Sequence, residues 1–150
     1  MKNRLVVIFL ISIIQLLLGC ATPYGRVGLT GGFSDTQLQR NVFSVSFRGN
    51  GYTSTDRAMD FALLRCAELT INNGFNYFKV NYIESDSKRF MHHSGQINGG
   101  SYSGRSIPIS KPRVTINITC YIQNRDNNME FYEAEFLAES VSHKYNMIFE

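Results

Sequence analysis

The residue best placed to do chemistry is Cys20, because its thiol follows a small residue at the end of a long apolar run. Lys2 and Arg4 give the chain a basic start, and Leu5 to Leu18 then form an almost continuous apolar stretch. This layout is typical of a bacterial export signal, and the run is shorter than the ~20 apolar residues that a membrane-spanning helix needs. A cysteine thiol at this position is nucleophilic enough to be alkylated.

The end of the run, Leu17-Leu18-Gly19-Cys20, looks like the lipobox of bacterial lipoproteins. In proteins with this motif the thiol receives a diacylglyceryl group, the chain is cut before the cysteine, and the new amino group is acylated, so palmitate is an expected type of modification. The sequence therefore predicts a signal peptide over 1–19 and a lipid-carrying N-terminus. Each buried CH₂ of an acyl chain contributes about 0.8 kcal/mol, so two or three chains anchor a protein stably. The alternative is an ordinary secretory signal with a chance cysteine.

The residue after the cysteine is Ala21, and it bears on localisation. An aspartate there retains many lipoproteins in the inner membrane, so Ala21 favours the outer membrane, with the domain on the periplasmic side. Removing 19 of the 150 residues leaves 131, the size of one domain. Losing Lys2 and Arg4 lowers the formal net charge from +3 to +1, which gives no electrostatic reason to expect nucleic-acid binding.

Strands are predicted from alternating apolar residues. Val42–Arg48 alternates as a half-buried strand, and in 113–123 five residues are predicted to face the core: Val114, Ile116, Ile118, Cys120 and Ile122. A further strand near residue 80 places Phe78, Val80 and Tyr82 on one face. The Gly- and Thr-rich segment 20–41 is predicted to be a flexible tether, so the globular domain is expected over 42–150. The polar stretch 85–111 predicts a hairpin tip or a mobile loop.

Helices are predicted where apolar residues recur every three or four positions. The first has Ala58, Ala62, Cys66 and Leu69 along one face, capped by Thr53 or Ser54 and closed by Gly74. A second is predicted within 129–145. The order strand, helix, strand, strand, helix indicates an α+β fold, with a small antiparallel or mixed sheet of three to four strands and two helices on one face.

Cys66 and Cys120 remain as a pair if Cys20 carries lipid. Both lie on predicted core faces of an exported protein, so a disulfide between them is a tentative prediction. Closing 54 residues would add about 4 kcal/mol in the loop-entropy model. Two buried free thiols are the alternative.

Other candidate constellations are weaker. Gly49-Asn50-Gly51 lies between a strand and a helix, but it lacks the third glycine of a dinucleotide fingerprint and the lysine of a P-loop. His92 and His93 are adjacent in a polar stretch, and His143 is distant, so no metal-ligand spacing is formed. The sequence predicts no catalytic residues, no metal and no cofactor.

The block from Gly32 to Val80 resembles an uncharacterised family of small proteobacterial outer-membrane lipoproteins. The shared pattern is G-[YF]-S-[DE]-T-Q-L, then F-x-G-N-G-Y-[TS], then L-x-R-[CA]-A-E-[LV]-T. Six of the matched residues are expected to be structural: Gly49, Gly51, Tyr52, Arg65, Glu68 and Gly74. Arg65 and Glu68, three apart on a helix, are predicted to pair with each other, or one of them to meet the turn at 48–53. The resemblance implies a lipoprotein and brings no catalytic residues.

The primary functional prediction is a lipid-anchored envelope lipoprotein, not an enzyme, whose domain binds an envelope protein or a cell-wall component. The alternative is an envelope enzyme or a small-ligand or redox sensor. It would use the turn from Gly49 to Thr53 in a cleft with Arg65, Glu68, Tyr52 and a histidine, or the Cys66 and Cys120 pair.

Overall fold

Five strands and two helices follow one another in a computed structural model that describes residues 21–98, 101–123 and 131–148. In chain order they are β1 (Gly32–Gln39), β2 (Val42–Arg48), α1 (Thr55–Asn72), β3 (Tyr77–Asn98), β4 (Ser101–Tyr121), β5 (Tyr132–Glu133) and α2 (Ala134–Lys144). The predicted α+β class is confirmed. The predicted signal peptide and Cys20 lie outside the described residues.

The strands form one antiparallel sheet in the order β1-β2-β4-β3-β5. The predicted count of three to four strands was wrong, because β1 and the two-residue β5 add the two edges. α1 packs across β2 and β4, and α2 packs against α1. Between α1 and the sheet lies the core, in which the Phe47 and Phe61 rings meet edge to face with centroids 5.3 Å apart.

The segment predicted to be a tether contains an edge strand. β1 pairs with β2 from Gly32, opposite Arg48, to Gln39, opposite Val42. Phe33 is 8% exposed and belongs to the core. The prediction of a domain starting at residue 42 is therefore corrected. The glycine- and threonine-rich composition of this segment does not predict a strand, but pairing with β2 stabilises one.

The polar stretch 85–111, predicted to be a hairpin tip or a mobile loop, is strand over its described residues, with 85–98 in β3 and 101–111 in β4. The two strands pair from Tyr77 opposite Tyr121 to Asn98 opposite Ser101. β2 pairs with β4 only as far as Arg113, so residues 87–98 and 101–112 continue as a two-stranded ribbon, which we name the arm. Twelve residues at about 3.3 Å each give the arm a length of about 40 Å. The sequence lacks an alternation of apolar residues here, and the strands are formed by backbone hydrogen bonds between β3 and β4.

Helix α1 follows its prediction. Its buried side chains include Ala58, Phe61, Ala62, Cys66 and Leu69. The Ser54 side chain accepts a hydrogen bond from the Arg57 amide at 3.1 Å, so Ser54 is the cap. The helix ends at Asn72, and Gly74 takes a φ of +77°, a conformation that favours glycine.

Two predicted core residues are exposed instead. The register of β3 against β4 shifts between Val80 and Tyr82, so Asn81 is an extra residue on its strand. Such a bulge reverses the alternation, and Tyr82 is 52% exposed. Ile122 lies just beyond the end of β4 and is also exposed. The other four core residues predicted for β4 are buried.

The second predicted helix is confirmed from Ala134 onward. Ala134, Ala138 and Val141 are buried, as the spacing predicts. The residues before it were predicted to be helical, but Tyr132 and Glu133 pair with Phe78 and Tyr77 as β5. The Tyr132 ring stacks on the Phe78 ring at 5.2 Å, which holds this edge.

Candidate functional site

Thr22, two residues after the predicted lipid-carrying Cys20, is the first buried residue in the described part of the chain. The Thr22 side chain is fully buried. Its amide donates to Thr53 Oγ1 at 2.9 Å, and its hydroxyl donates to the Thr30 carbonyl at 2.7 Å. The same oxygen accepts from the Asn50 amide at 2.8 Å. Thr22 therefore joins the start of the domain to two loops, and no tether of twenty residues separates the domain from Cys20.

The Gly49–Thr53 turn is closed on itself. Its amides donate within the protein: Gly49 to the Pro112 carbonyl, Tyr52 to Asn50 Oδ1 and Thr53 to the Asn50 carbonyl. A phosphate cradle needs free amides pointing at the ligand, so this turn is unsuited to nucleotides. A Cβ on Gly49 would meet Thr53 Cβ at 2.7 Å and Pro112 Cγ at 2.9 Å, which explains the glycine by close packing.

Gly51 is also a packing position, and Tyr52 is a surface residue. A Cβ on Gly51 would lie 2.5 Å from Ile109 Cγ2, where the arm leaves the sheet. The Tyr52 side chain is 67% exposed, and it is not part of a cleft with Arg65. The two glycines are therefore structural.

Arg65 links helix α1 to strand β1. Its Nε donates to Asp35 Oδ1 at 2.8 Å, its Nη1 donates to Glu68 Oε2 at 2.8 Å, and its guanidinium lies 4.5 Å from the Phe33 ring centre. Burial works against the charged guanidinium, but the hydrogen bonds and charges of Glu68 and Asp35 outweigh it and raise the pKa of Arg65. The predicted pair with Glu68 is confirmed. The second partner is Asp35 rather than the turn at 48–53.

Tyr24 lies next to this ion-pair group. Its ring packs on Phe33 at 5.1 Å and on Phe61 at 5.4 Å. Burial, followed by the neighbouring Glu68 carboxylate, raises the pKa of the Tyr24 hydroxyl above its ordinary value. The phenol therefore stays protonated at neutral pH and gives no base.

A cleft of about 410 Å³ opens beside Glu68. It is lined by Tyr24, Leu64, Glu68, Ile71, Asn72, Ser142, Met147 and Ile148. The volume is within the range of small-molecule sites. However, neither Arg65 nor Tyr52 lines this cleft. His143, on α2, is exposed and does not line it either. The cleft expected for the enzyme or sensor alternative is therefore not formed by these residues.

Cys66 and Cys120 are buried free thiols, so the tentative disulfide is not formed in the structure. Cys120 Sγ contacts Thr70 Oγ1 at 3.3 Å, and that hydroxyl also donates to the Cys66 carbonyl at 2.8 Å. Burial, and then the neighbouring Cys120, raises the pKa of the Cys66 thiol; burial raises that of Cys120 also. A raised thiol pKa lowers the thiolate fraction that redox chemistry needs, which weakens the redox-sensor alternative.

Within the described ranges, no three His, Cys, Asp or Glu side chains come together as a metal site. Among the same residues, no helix has the length and apolar character to cross a membrane. The side chains of His92 and His93 lie outside the described part of the chain.

Comparisons with protein-family models, with curated proteins and with solved structures found nothing that matches this chain. The resemblance of residues 32–80 to a lipoprotein family therefore stays a prediction. The residues that the sequence did not single out are Thr22 and Asp35. Asp35 lies two positions after Phe33, and this strand spacing is the sequence signal that could have identified it. No sequence signal identifies Thr22.

Proposed function

We propose that the protein is a lipid-anchored lipoprotein of the bacterial cell envelope whose domain binds another envelope component without catalysing a reaction. The observation that carries the anchor is the Leu-Leu-Gly-Cys motif at the end of the apolar run, which supports a cut before Cys20. The buried and hydrogen-bonded Thr22 follows two residues later, so a lipid on Cys20 would lie next to the domain. Ala21 after the cysteine supports sorting to the outer membrane.

The absence of catalysis is part of the proposal, and the contacts of the residues that a catalytic or redox site would use support it. Arg65 is neutralised by Asp35 and Glu68, and four amides of the turn, those of Gly49, Asn50, Tyr52 and Thr53, donate within the protein. The thiols are buried. Groups that are satisfied by one another stabilise a fold and are poorly suited to act on a substrate.

The arm is the element proposed to bind the partner. Its sequence carries four basic residues, Lys88, Arg89, Arg105 and Lys111, and no aspartate or glutamate between residues 87 and 112. An isolated two-stranded ribbon gains little stability in water, so a second surface alongside the arm would stabilise it. The charge favours an acidic protein segment or cell-wall polymer.

Cell fractionation tests the anchor. Wild type and Cys20→Ala are expressed from the same promoter, and the membrane and soluble fractions are compared after a high-salt wash. We expect wild type in the membrane fraction and Cys20→Ala in the soluble one, because the acyl chains supply the binding. Equal distribution of the two proteins would contradict the proposal.

Site-specific photocrosslinking tests the partner. A photoreactive residue replaces Ser103 in the arm, and Thr36 on β1 serves as the matched position away from it. We expect discrete adducts from position 103 that disappear when Arg89 and Arg105 are changed to Glu. Adducts that survive the charge reversal, or that form equally from position 36, would contradict a role for the arm.

A further inference from the structure

We infer that one end of the domain is a surface that seats on anionic phospholipid. This end, which we name the anchor end, consists of Thr22, residues 25–31 and the turn at 48–53. The inference rests on the proposed lipid anchor, because it needs acyl chains at Cys20 to bring this end to a membrane.

The connectivity limits how far the anchor end can stand from the lipid. Cys20 precedes the buried Thr22 by two residues, and two extended residues span about 7 Å. Thr22 is held to both loops of the anchor end, through the Thr30 carbonyl and through Asn50 and Thr53. A lipid on Cys20 therefore brings these two loops to the membrane surface, whatever the rest of the domain does.

The two loops present large apolar side chains to solvent. Leu29 is 108% exposed, Tyr52 is 67% exposed and Val27 is 47% exposed. Leu29 is adjacent to Thr30, and Tyr52 is adjacent to Thr53, so both residues neighbour a partner of Thr22. A surface that exposes a leucine and a tyrosine suits a membrane interface, where apolar atoms enter the acyl boundary and the phenol stays at the headgroups.

The charge of the anchor end has one sign. Arg26 and Arg48 are exposed, and residues 21–31 and 48–53 contain no aspartate or glutamate. The next carboxylates along the chain are Asp35, which is paired with Arg65, and Asp56 on α1. Asp86 lies in register with Arg113 on the neighbouring strand. Basic side chains near the surface of an anionic bilayer are attracted to it. The anchor end therefore favours anionic headgroups over neutral ones.

The arm constrains the orientation. β4 leaves the sheet at Arg113, opposite Arg48, so the arm projects from the anchor end. An arm about 40 Å long with four basic residues does not enter hydrocarbon. The seated domain therefore lies with its arm along the membrane surface, where the arm would meet a partner close to the lipid.

The test uses the full lipidated protein reconstituted into vesicles of phosphatidylethanolamine and phosphatidylglycerol. Single cysteines at Leu29→Cys and Tyr52→Cys carry an environment-sensitive dye, since the buried Cys66 and Cys120 are shielded from labelling in the folded protein. Phe136→Cys is the matched control, because Phe136 is 69% exposed near the start of α2, at the opposite end of the sheet.

We expect the dyes at 29 and 52 to shift to the blue and to be quenched several-fold less by aqueous iodide than the dye at 136. We expect high salt or pure phosphatidylcholine vesicles to reduce this protection. Equal iodide quenching at all three positions would overturn the inference, and protection that ignores both salt and headgroup would overturn its electrostatic part. Thermal unfolding of each variant checks that it is folded.

Fractionation of the same variants separates this inference from the anchor. If wild type is membrane-bound and Cys20→Ala is soluble while the dyes at 29 and 52 remain in water, only the seating is wrong. If wild type itself is soluble, the lipid anchor fails and the seating fails with it.

Discussion

Arg65 on α1 forms ion pairs with Asp35 on β1 and with Glu68 on its own helix. Its side chain is 13% exposed, and its two ion-pair partners, Asp35 and Glu68, are 19% and 21% exposed. The fork geometry of a guanidinium allows one residue to bind two carboxylates, which the single ammonium of a lysine does less well. Arg65 thereby fixes edge strand β1 to α1.

Replacing Arg65 by methionine leaves two half-buried carboxylates without a cation. We expect Arg65→Met to lower the free energy of unfolding by about 2 kcal/mol, between the values for exposed and buried pairs. Urea denaturation measures the change. Arg65→Lys should fall in between, and Arg40→Met, at an exposed turn, should stay within about 0.5 kcal/mol of wild type. If Arg65→Met lowers the free energy of unfolding as little as Arg40→Met does, Arg65 does not stabilise the fold through its ion pairs.

The buried thiols predict how stability depends on alkaline pH. Folding raises the thiol pKa of Cys66 and Cys120 above the ordinary 9.0. Above that pH the unfolded chain releases thiol protons that the folded chain keeps, so the unfolded state binds fewer protons and stability falls as pH rises. The contribution is fully present below pH 9.

We expect the Cys66 thiol to remove about 1.4 kcal/mol of stability per pH unit once the pH exceeds the unfolded value, and the Cys120 thiol acts in the same direction. Urea denaturation between pH 7 and pH 10 measures this slope. Cys66→Ala and Cys120→Ala should each make it shallower, and the comparison of slopes removes the cost of the lost side chain. A slope that neither substitution changes would show that the folded thiols ionise as the unfolded ones do.

At the scale of elements, the turn between β2 and α1 is closely packed. Gly49 leaves room for Thr53 and Pro112, and its amide donates to the Pro112 carbonyl at 2.8 Å. The turn thus couples the capped start of α1 to the point where the arm leaves the sheet. The glycine pattern that resembles a phosphate loop is explained by this packing.

We expect Gly49→Ala to destabilise the domain by about 1–3 kcal/mol, because the added methyl group forces Thr53 or Pro112 to move. Gly25→Ala is the matched control, since a Cβ at Gly25 would meet no atom within 4 Å. Thermal and urea unfolding of both variants are compared with wild type. Equal stability of the two variants would show that the turn accommodates a methyl group at position 49, and it would contradict the close packing described here.

At the scale of the whole molecule, the described domain includes residues as early as Thr22. Thr22, Tyr24 and Phe33 are packed or hydrogen-bonded into the fold, whereas the sequence predicts a domain that starts at residue 42. This difference shortens the link between the domain and the proposed lipid on Cys20, and so it bears directly on the proposed function.

Two truncated chains distinguish these boundaries. We expect residues 21–150 to fold with cooperative thermal unfolding, because every described contact is retained. We expect residues 42–150 to lose cooperative unfolding, because β1 is missing and Arg65 loses Asp35 and Phe33. Circular dichroism during heating measures both. Equal melting temperatures would restore the tether and contradict the role of β1.

The local patterns of the sequence determined the α+β class and most of the core. Alternation placed Phe43, Val45 and Phe47 on the buried face of β2, and three- and four-residue spacing placed the core residues of both helices. These patterns are reliable because each element buries one face of its own residues. The Arg65–Glu68 pair was predictable for the same reason, since it lies within one helix.

Tertiary structure alone decided the features that depend on a distant partner. β1 and the arm are strands because backbone groups pair across the sheet, which requires no apolar alternation. The bulge at Asn81 reverses which side chains of β3 face the core, and it arises from the register of β3 with β4. Likewise, Thr22 belongs to the domain through hydrogen bonds to Thr53 and Asn50, which lie 31 and 28 residues away, and Cys66 and Cys120 are buried free thiols. No single stretch of sequence contains both members of such contacts.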